Sequence, residues 1–211
     1  MEKHRNSYLD SPIKQEHREI LKGILMKKKG NKKVLTMSGL IGKDAKMYAS
    51  QNSVVFSIER DKEVFHKQVE ELRQYPVVSL NTSMLDFIKS DFVEKVLFDL
   101  VYLDYCGPYT RNTEDTLKEV FKKKIISQEG HLAITLALSR DGYQSILSNT
   151  DLLNLTCCGD TRYYLENRVK VITATIKSIA KEHHITLLEK HRREYKNPGS
   201  KMEMLFLVYS L

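Results

Sequence analysis

Five short apolar runs, each followed by a segment long enough to form a helix or to cross over as one, constrain this chain more than any other feature. They are Val34-Leu-Thr-Met-Ser38, Val54-Val-Phe-Ser-Ile58, Val77-Val-Ser-Leu80, Phe98-Asp-Leu-Val-Tyr-Leu103 and Gly130-His-Leu-Ala-Ile-Thr-Leu-Ala-Leu138. Runs of that length and apolar content suit strands buried on both faces. Helices are predicted between them over 44–51, over 61–74, around 84–88, and from a cap at Asn112 or Thr113 to about Ser127. Strand and helix repeated in this order make an α/β protein with a parallel sheet and helices on both faces. After a helix predicted over 162–183, two more runs, 185–188 and 202–209, flank a turn at Asn197-Pro-Gly199. The chain is therefore expected to close with an antiparallel hairpin.

A further helix is predicted over 14–26, ahead of the first strand. Residues 1–13 lack a clear period and read as an arm or flap, which leaves 14–211 as a single domain. The first residues, Met-Glu-Lys-His-Arg-Asn, are charged, and no apolar run reaches membrane length, so an intracellular protein without a membrane partner is expected. Cys106, Cys157 and Cys158 lack the spaced pairs of a zinc site or a disulfide framework and are read as reduced thiols. His183-His184, at a helix-to-strand junction with no suitably spaced third ligand, reads as a capping or core pair, so no metal is expected. A net charge of +7 favours a polyanionic partner.

Three positions after the predicted strands carry chemistry. Ser38-Gly39-Leu-Ile-Gly42 follows the first, where glycines let the backbone turn sharply and approach a ligand. Glu59 ends the second, 20 residues past Gly39, the separation expected of an acid that accepts hydrogen bonds from the hydroxyls of an adenosine ribose. Asp104 ends the fourth, before a predicted Gly107-Pro108 turn flanked by Tyr105 and Tyr109. In open parallel sheets, ligands bind beyond the carboxyl ends of the strands. The alternative is that Asp104 only opens a loop. A P-loop is excluded by Met37 and Asp44, where it needs Gly and Ser or Thr. A nicotinamide dehydrogenase would share the Gly39 to Glu59 spacing, but its fingerprint is Gly-x-Gly-x-x-Gly and it does not predict the closing hairpin.

On these residues the chain resembles the class I S-adenosylmethionine-dependent methyltransferases. The resemblance implies a Rossmann-like, mostly parallel seven-stranded sheet with an antiparallel C-terminal strand, and S-adenosylmethionine as cofactor. It places Ser38, Gly39, Gly42, Glu59 and Asp104 around that cofactor. Ser83 stands where the adenine is contacted, with Asp86 as a near alternative. The usual Gly-x-Gly-x-Gly loop is reduced here to Ser-Gly-x-x-Gly. Asp104-Tyr-Cys-Gly-Pro-Tyr109 resembles the Asp-Pro-Pro-Tyr signature of enzymes that methylate exocyclic amines, with two extra residues before Pro108. By that likeness Asp104, Tyr105, Pro108 and Tyr109 would orient the acceptor.

The basic residues sort by strand end. Runs at 27–33 and 122–124 precede strands and read as solvated faces at the amino edge. Lys190, Arg192 and Arg193 follow the predicted sixth strand and are expected on the crevice edge with Lys43, Arg60, Arg111 and Arg140, as candidate phosphate contacts. Tyr105, Tyr109, Tyr143 and Tyr195 are candidates for stacking on bases. The resulting expectation is methyl transfer to a nucleic acid, RNA ahead of DNA. Two rivals stay open: a methyltransferase-like nucleic-acid-binding subunit without catalysis, and a methyltransferase acting on a small molecule or protein. A partner subunit that completes the site also stays open.

Overall fold

The computed structural model describes residues 12–138, 161–196 and 203–211. Seven strands form one sheet: β1 (Lys32–Thr36), β2 (Ser53–Glu59), β3 (Val77–Asn81), β4 (Phe98–Pro108), β5 (Ile126–Ala137), β6 (Leu188–Lys196) and β7 (Glu203–Ser210). Their order is β3-β2-β1-β4-β5-β7-β6. The first five are parallel, and β7 runs antiparallel between β5 and β6. This is the expected Rossmann-like sheet with its antiparallel closing strand.

Two apolar layers sandwich it. On one face α1 (Pro12–Met26), α2 (Lys43–Ala49) and α3 (Lys62–Leu72) cover Val34, Val55, Leu100, Tyr102, Ala133 and Phe206. On the other, α4 (Met84–Lys89), α5 (Arg111–Lys122) and α6 (Thr161–Glu182) cover Leu35, Phe56, Val101, Leu103, Ile134 and Leu207. Consecutive strand residues thus point to opposite helix layers, which is why these strands read as unbroken apolar runs. α1 buries one stripe at helical spacing, Lys14, His17, Leu21 and Leu25. Its apolar end seals the core, and its polar end reaches toward the carboxyl edge of the sheet.

Several boundaries differ from expectation, for identifiable reasons. α1 starts at Pro12; the rest of the predicted arm, 1–11, lies outside the described residues, as does 139–160. The cap of α5 is Thr110, not Asn112 or Thr113, in a reciprocal capping box with Thr113. That helix ends at Lys122, because the backbone turns left-handed at Lys124 (φ 49°) and Ile125 then accepts from the Phe98 amide to begin β5. The sixth strand is the charged segment Leu188–Lys196 and not 185–188. Leu188-Glu-Lys-His-Arg-Arg-Glu-Tyr-Lys196 has no apolar alternation because it is an edge strand, ordered by pairing with β7, which is buried from Met204 to Ser210, and its charges discourage further pairing. Among the described residues no helix is long and apolar enough to cross a membrane.

Candidate functional site

The sheet register brings the candidate residues into one row. Thr36 pairs with Ser57 and with Tyr102, so positions two residues further on, Ser38, Glu59 and Asp104, stand at one height on adjacent strands. Glu59 pairs in turn with Asn81, and Asp104 with Thr135. The carboxyl ends of β3, β2, β1 and β4 thus present Asn81, Glu59, Ser38 and Asp104 together. A cavity of 530 Å3 opens there, lined by Glu59, Ser83, Asp104, Tyr105 and Pro108 among the expected residues. That volume lies within the ordinary range for small-ligand sites.

The end of β4 departs most from the expected turn. The strand does not stop at Asp104 but continues to Pro108, and between those two residues it advances four positions while β5 advances two, from Thr135 to Ala137. The two residues in excess of the Asp-Pro-Pro-Tyr pattern are therefore absorbed as a bulge, which keeps Pro108 in the ladder and turns Tyr105 onto the cavity wall. Tyr109, expected to face an acceptor, is fully buried in the apolar layer under α5 and is not on the wall. Burial pushes the Tyr105 phenol up to about 12, so it is neutral near pH 7.

Each remaining position has a defined setting. Gly39 and Gly42 both take left-handed backbone (φ 58° and 60°), and the Gly42 amide closes the turn on the Gly39 carbonyl. Gln68 of α3 also donates to that carbonyl, at 2.8 Å, fixing the loop from behind. Ser38 is buried, its hydroxyl without a partner among the described residues. These three residues stand behind the wall, and Met37 forms it. One Glu59 oxygen accepts from the Asp61 amide at 2.8 Å, which leaves the other for a ligand. Ser83 caps α4, accepting from the Asp86 amide at 3.1 Å and donating to the Asp86 carboxylate at 2.6 Å. Ser83 lines the cavity; Asp86 serves the cap.

Asp104 is not alone. Lys14, at the polar end of the α1 stripe and only 3% exposed, is ion-paired to Asp104 Oδ2, while Asp104 Oδ1 is buried without a partner among the described residues. One turn on, Arg18 pairs with Asp44 at 2.6 Å. Burial, helped by the Asp104 charge, pushes the buried Asp44 carboxyl above its ordinary range against the pull of Arg18. Lys14, Asp104, Arg18 and Asp44 form a two-plus, two-minus cluster beneath the cavity. Sequence reasoning missed Lys14, because the pairing spans 90 residues and a lysine on an amphipathic helix signals solvent. Met37, Thr82, Met84, Thr110, Asn112 and Thr113 are further wall residues given no role in the site by the sequence; only proximity to an assigned position could have suggested them.

The basic candidates scatter. Arg60 lies on the wall, Arg111 is exposed beside it at the start of α5, and Lys43 opens α2. Lys190, Arg192 and Arg193 lie within β6, where Arg192 pairs with Glu189 and Arg193 with Glu16 of α1. Arg140 and Tyr143 fall outside the described residues.

No family model matches the chain, and no curated protein matches its sequence. Solved structures do resemble it. The N-methyltransferase NodS from Bradyrhizobium japonicum WM9, in complex with S-adenosyl-L-homocysteine, aligns with a TM-score of 0.60 over 95% of this chain and 88% of its own, at 13% identity. TYW2 from M. jannaschii, in complex with AdoMet, aligns at 0.57 over 95% and 76%, with 15% identity. A candidate rRNA methylase from Clostridium thermocellum aligns at 0.59 over 93% and 94%, with 12% identity. At such identities the likeness is one of fold, and the fold is that of the class I S-adenosylmethionine-dependent methyltransferases.

Proposed function

We propose that this chain is an S-adenosylmethionine-dependent methyltransferase whose acceptor is a nucleic acid, RNA ahead of DNA. The observation that carries the reading is the convergence of Glu59, Ser83 and Asp104, from three successive strand ends, on one cavity at the carboxyl edge of the sheet. The residues present fit the cofactor. Glu59, with one oxygen held by the Asp61 amide, offers the other to a ribose diol. Ser83 and Met84 flank the place for an adenine, and the Ser38 to Gly42 loop backs the place for the methionine end. The bound cofactor supplies an electrophilic methyl group. The protein's task is to hold the two reactants in line and exclude water. Asp104 Oδ1 accepts a hydrogen bond from the acceptor, and Tyr105 offers an aromatic face beside it.

For a nucleic-acid acceptor the support is the charge of +7, Arg60 on the wall, Arg111 beside it, and a fold shared with a candidate rRNA methylase. The fold is shared as well with the N-methyltransferase NodS, so the test must separate the acceptor classes. Calorimetric titration of the folded protein with S-adenosylmethionine is expected to show binding, and its absence would leave only the non-catalytic subunit. Tritiated-methyl transfer to RNA, DNA and protein pools is expected to label RNA most. Label confined to protein overturns the nucleic-acid assignment.

A further inference from the structure

We infer that Lys14 is a positioning residue that neutralises Asp104, and that the site is thereby matched to an uncharged acceptor nitrogen, such as an exocyclic nucleobase amine, and not to an aliphatic ammonium. The inference rests on reading the cavity as a methyl-transfer site.

A lone carboxylate on the wall of a cavity would attract cations. Here its charge is already matched. The Lys14 side chain is 4% exposed and that of Asp104 11%, so solvent screens the pair weakly and the two charges act on the cavity as a near-neutral unit. Asp104 lines the cavity, and its one acceptor atom without a partner among the described residues is Oδ1, which is buried. That atom suits a ligand bringing one N–H and no charge. An ammonium acceptor would meet three obstacles. It would approach the Lys14 charge as well as that of Asp104. It would face the positive sulfonium of the methyl donor. It would also have to lose a proton before it had a lone pair to attack with, while the carboxylate that could take that proton is engaged with Lys14. Glu59, the other wall carboxylate, stands at the end of β2, across β1 from Asp104.

The step balances without another reactant. The lone pair of the neutral nitrogen forms the N–C bond to the methyl carbon, and the C–S bonding pair returns to sulfur. The product nitrogen, now bearing the positive charge, is strongly acidic and releases its proton to solvent. Lys14 leaves the reacting atoms untouched and acts through the carboxylate, holding Oδ2 and leaving Oδ1 as the atom without a partner among the described residues.

The test compares the full chain with Lys14→Met and Lys14→Arg, each measured for S-adenosylmethionine affinity by calorimetry and for steady-state transfer to unmodified RNA. Lys14→Met is expected to bind the cofactor within about threefold of wild type while kcat falls by about 100-fold, the cost of a misplaced catalytic group, and Lys14→Arg to restore most of it. Wild-type protein is expected to label RNA and to leave spermidine, an aliphatic amine, unlabelled. If Lys14→Met binds the cofactor and turns over at the wild-type rate, or if wild type methylates spermidine as fast as RNA, the inference is overturned while the methyltransferase reading stands. Failure of folded wild type to bind the cofactor overturns both. Should Lys14→Met not fold, the RNA-against-spermidine comparison on wild type decides.

Discussion

Arg18 Nε donates to Asp44 Oδ1 over 2.6 Å, tying α1 to the first turn of α2 just behind the glycine loop. Both side chains are nearly buried, at 12% and 10% exposure, so neither charge has water to fall back on. Breaking such a pair costs more than replacing both members. Arg18→Met is expected to lower unfolding free energy by about 3–5 kcal/mol, and Arg18→Met with Asp44→Leu to recover most of that loss. Urea titrations of the two variants check this.

His17 gives the fold an acid limit. Its ring stacks on Phe206 at 3.8 Å and meets Tyr195 edge-on at 5.0 Å. Burial, then the charges of Lys14 and Arg18, lower its pKa from 6.5 to about 3. Between those values the unfolded chain binds a proton that the folded chain refuses, so the stabilisation present above pH 6.5 is lost as pH falls toward 3. The slope approaches about 1.4 kcal/mol per pH unit. Denaturation midpoints at pH 7 and pH 5 should differ in wild type and converge in His17→Phe, apart from what the carboxylates contribute.

Gly42 is held on two counts. Its φ of 60° disfavours any side chain, and a Cβ there would stand 2.7 Å from Leu72 Cδ2, which is locked in the core at 2% exposure. Gly42→Ala should cost about 1–3 kcal/mol and weaken S-adenosylmethionine binding through the displaced loop. Thermal melts with and without the cofactor separate the two effects. Gly39→Ala, where space is open, should lose only the backbone part.

Glu59→Gln keeps an acceptor for the Asp61 amide but removes the charge offered to a ribose. Cofactor affinity is expected to fall about 10- to 100-fold, with the melting temperature little changed. Calorimetry with S-adenosylmethionine provides the measure. Unaltered affinity would remove Glu59 from the site.

Much of the framework was legible. The five βα runs and the closing hairpin follow from local pattern, as does Glu59 at the end of β2, because a buried apolar run has to stop somewhere; Asp104 marks the end of the apolar run in β4, while the strand itself runs on to Pro108. β6 was misplaced because an edge strand need bury only part of one face and carries its charges on the rest. Lys190, Arg192 and Arg193, expected beyond the sixth strand, lie within it.

Local pattern therefore decided the five parallel strands, their order along the chain, and the carboxylates that follow their apolar runs, since periodicity and turn chemistry act over a few residues. Register and long-range pairing decided the rest. Ser38, Glu59 and Asp104 share one height only because β1 meets β2 and β4 in a particular register. Tyr105 instead of Tyr109 faces the cavity only because β4 bulges against β5. Lys14 reaches Asp104 only because α1 packs its polar end at the carboxyl edge of the sheet. Each is a contact between residues far apart in the chain, fixed by packing that no short stretch of sequence contains.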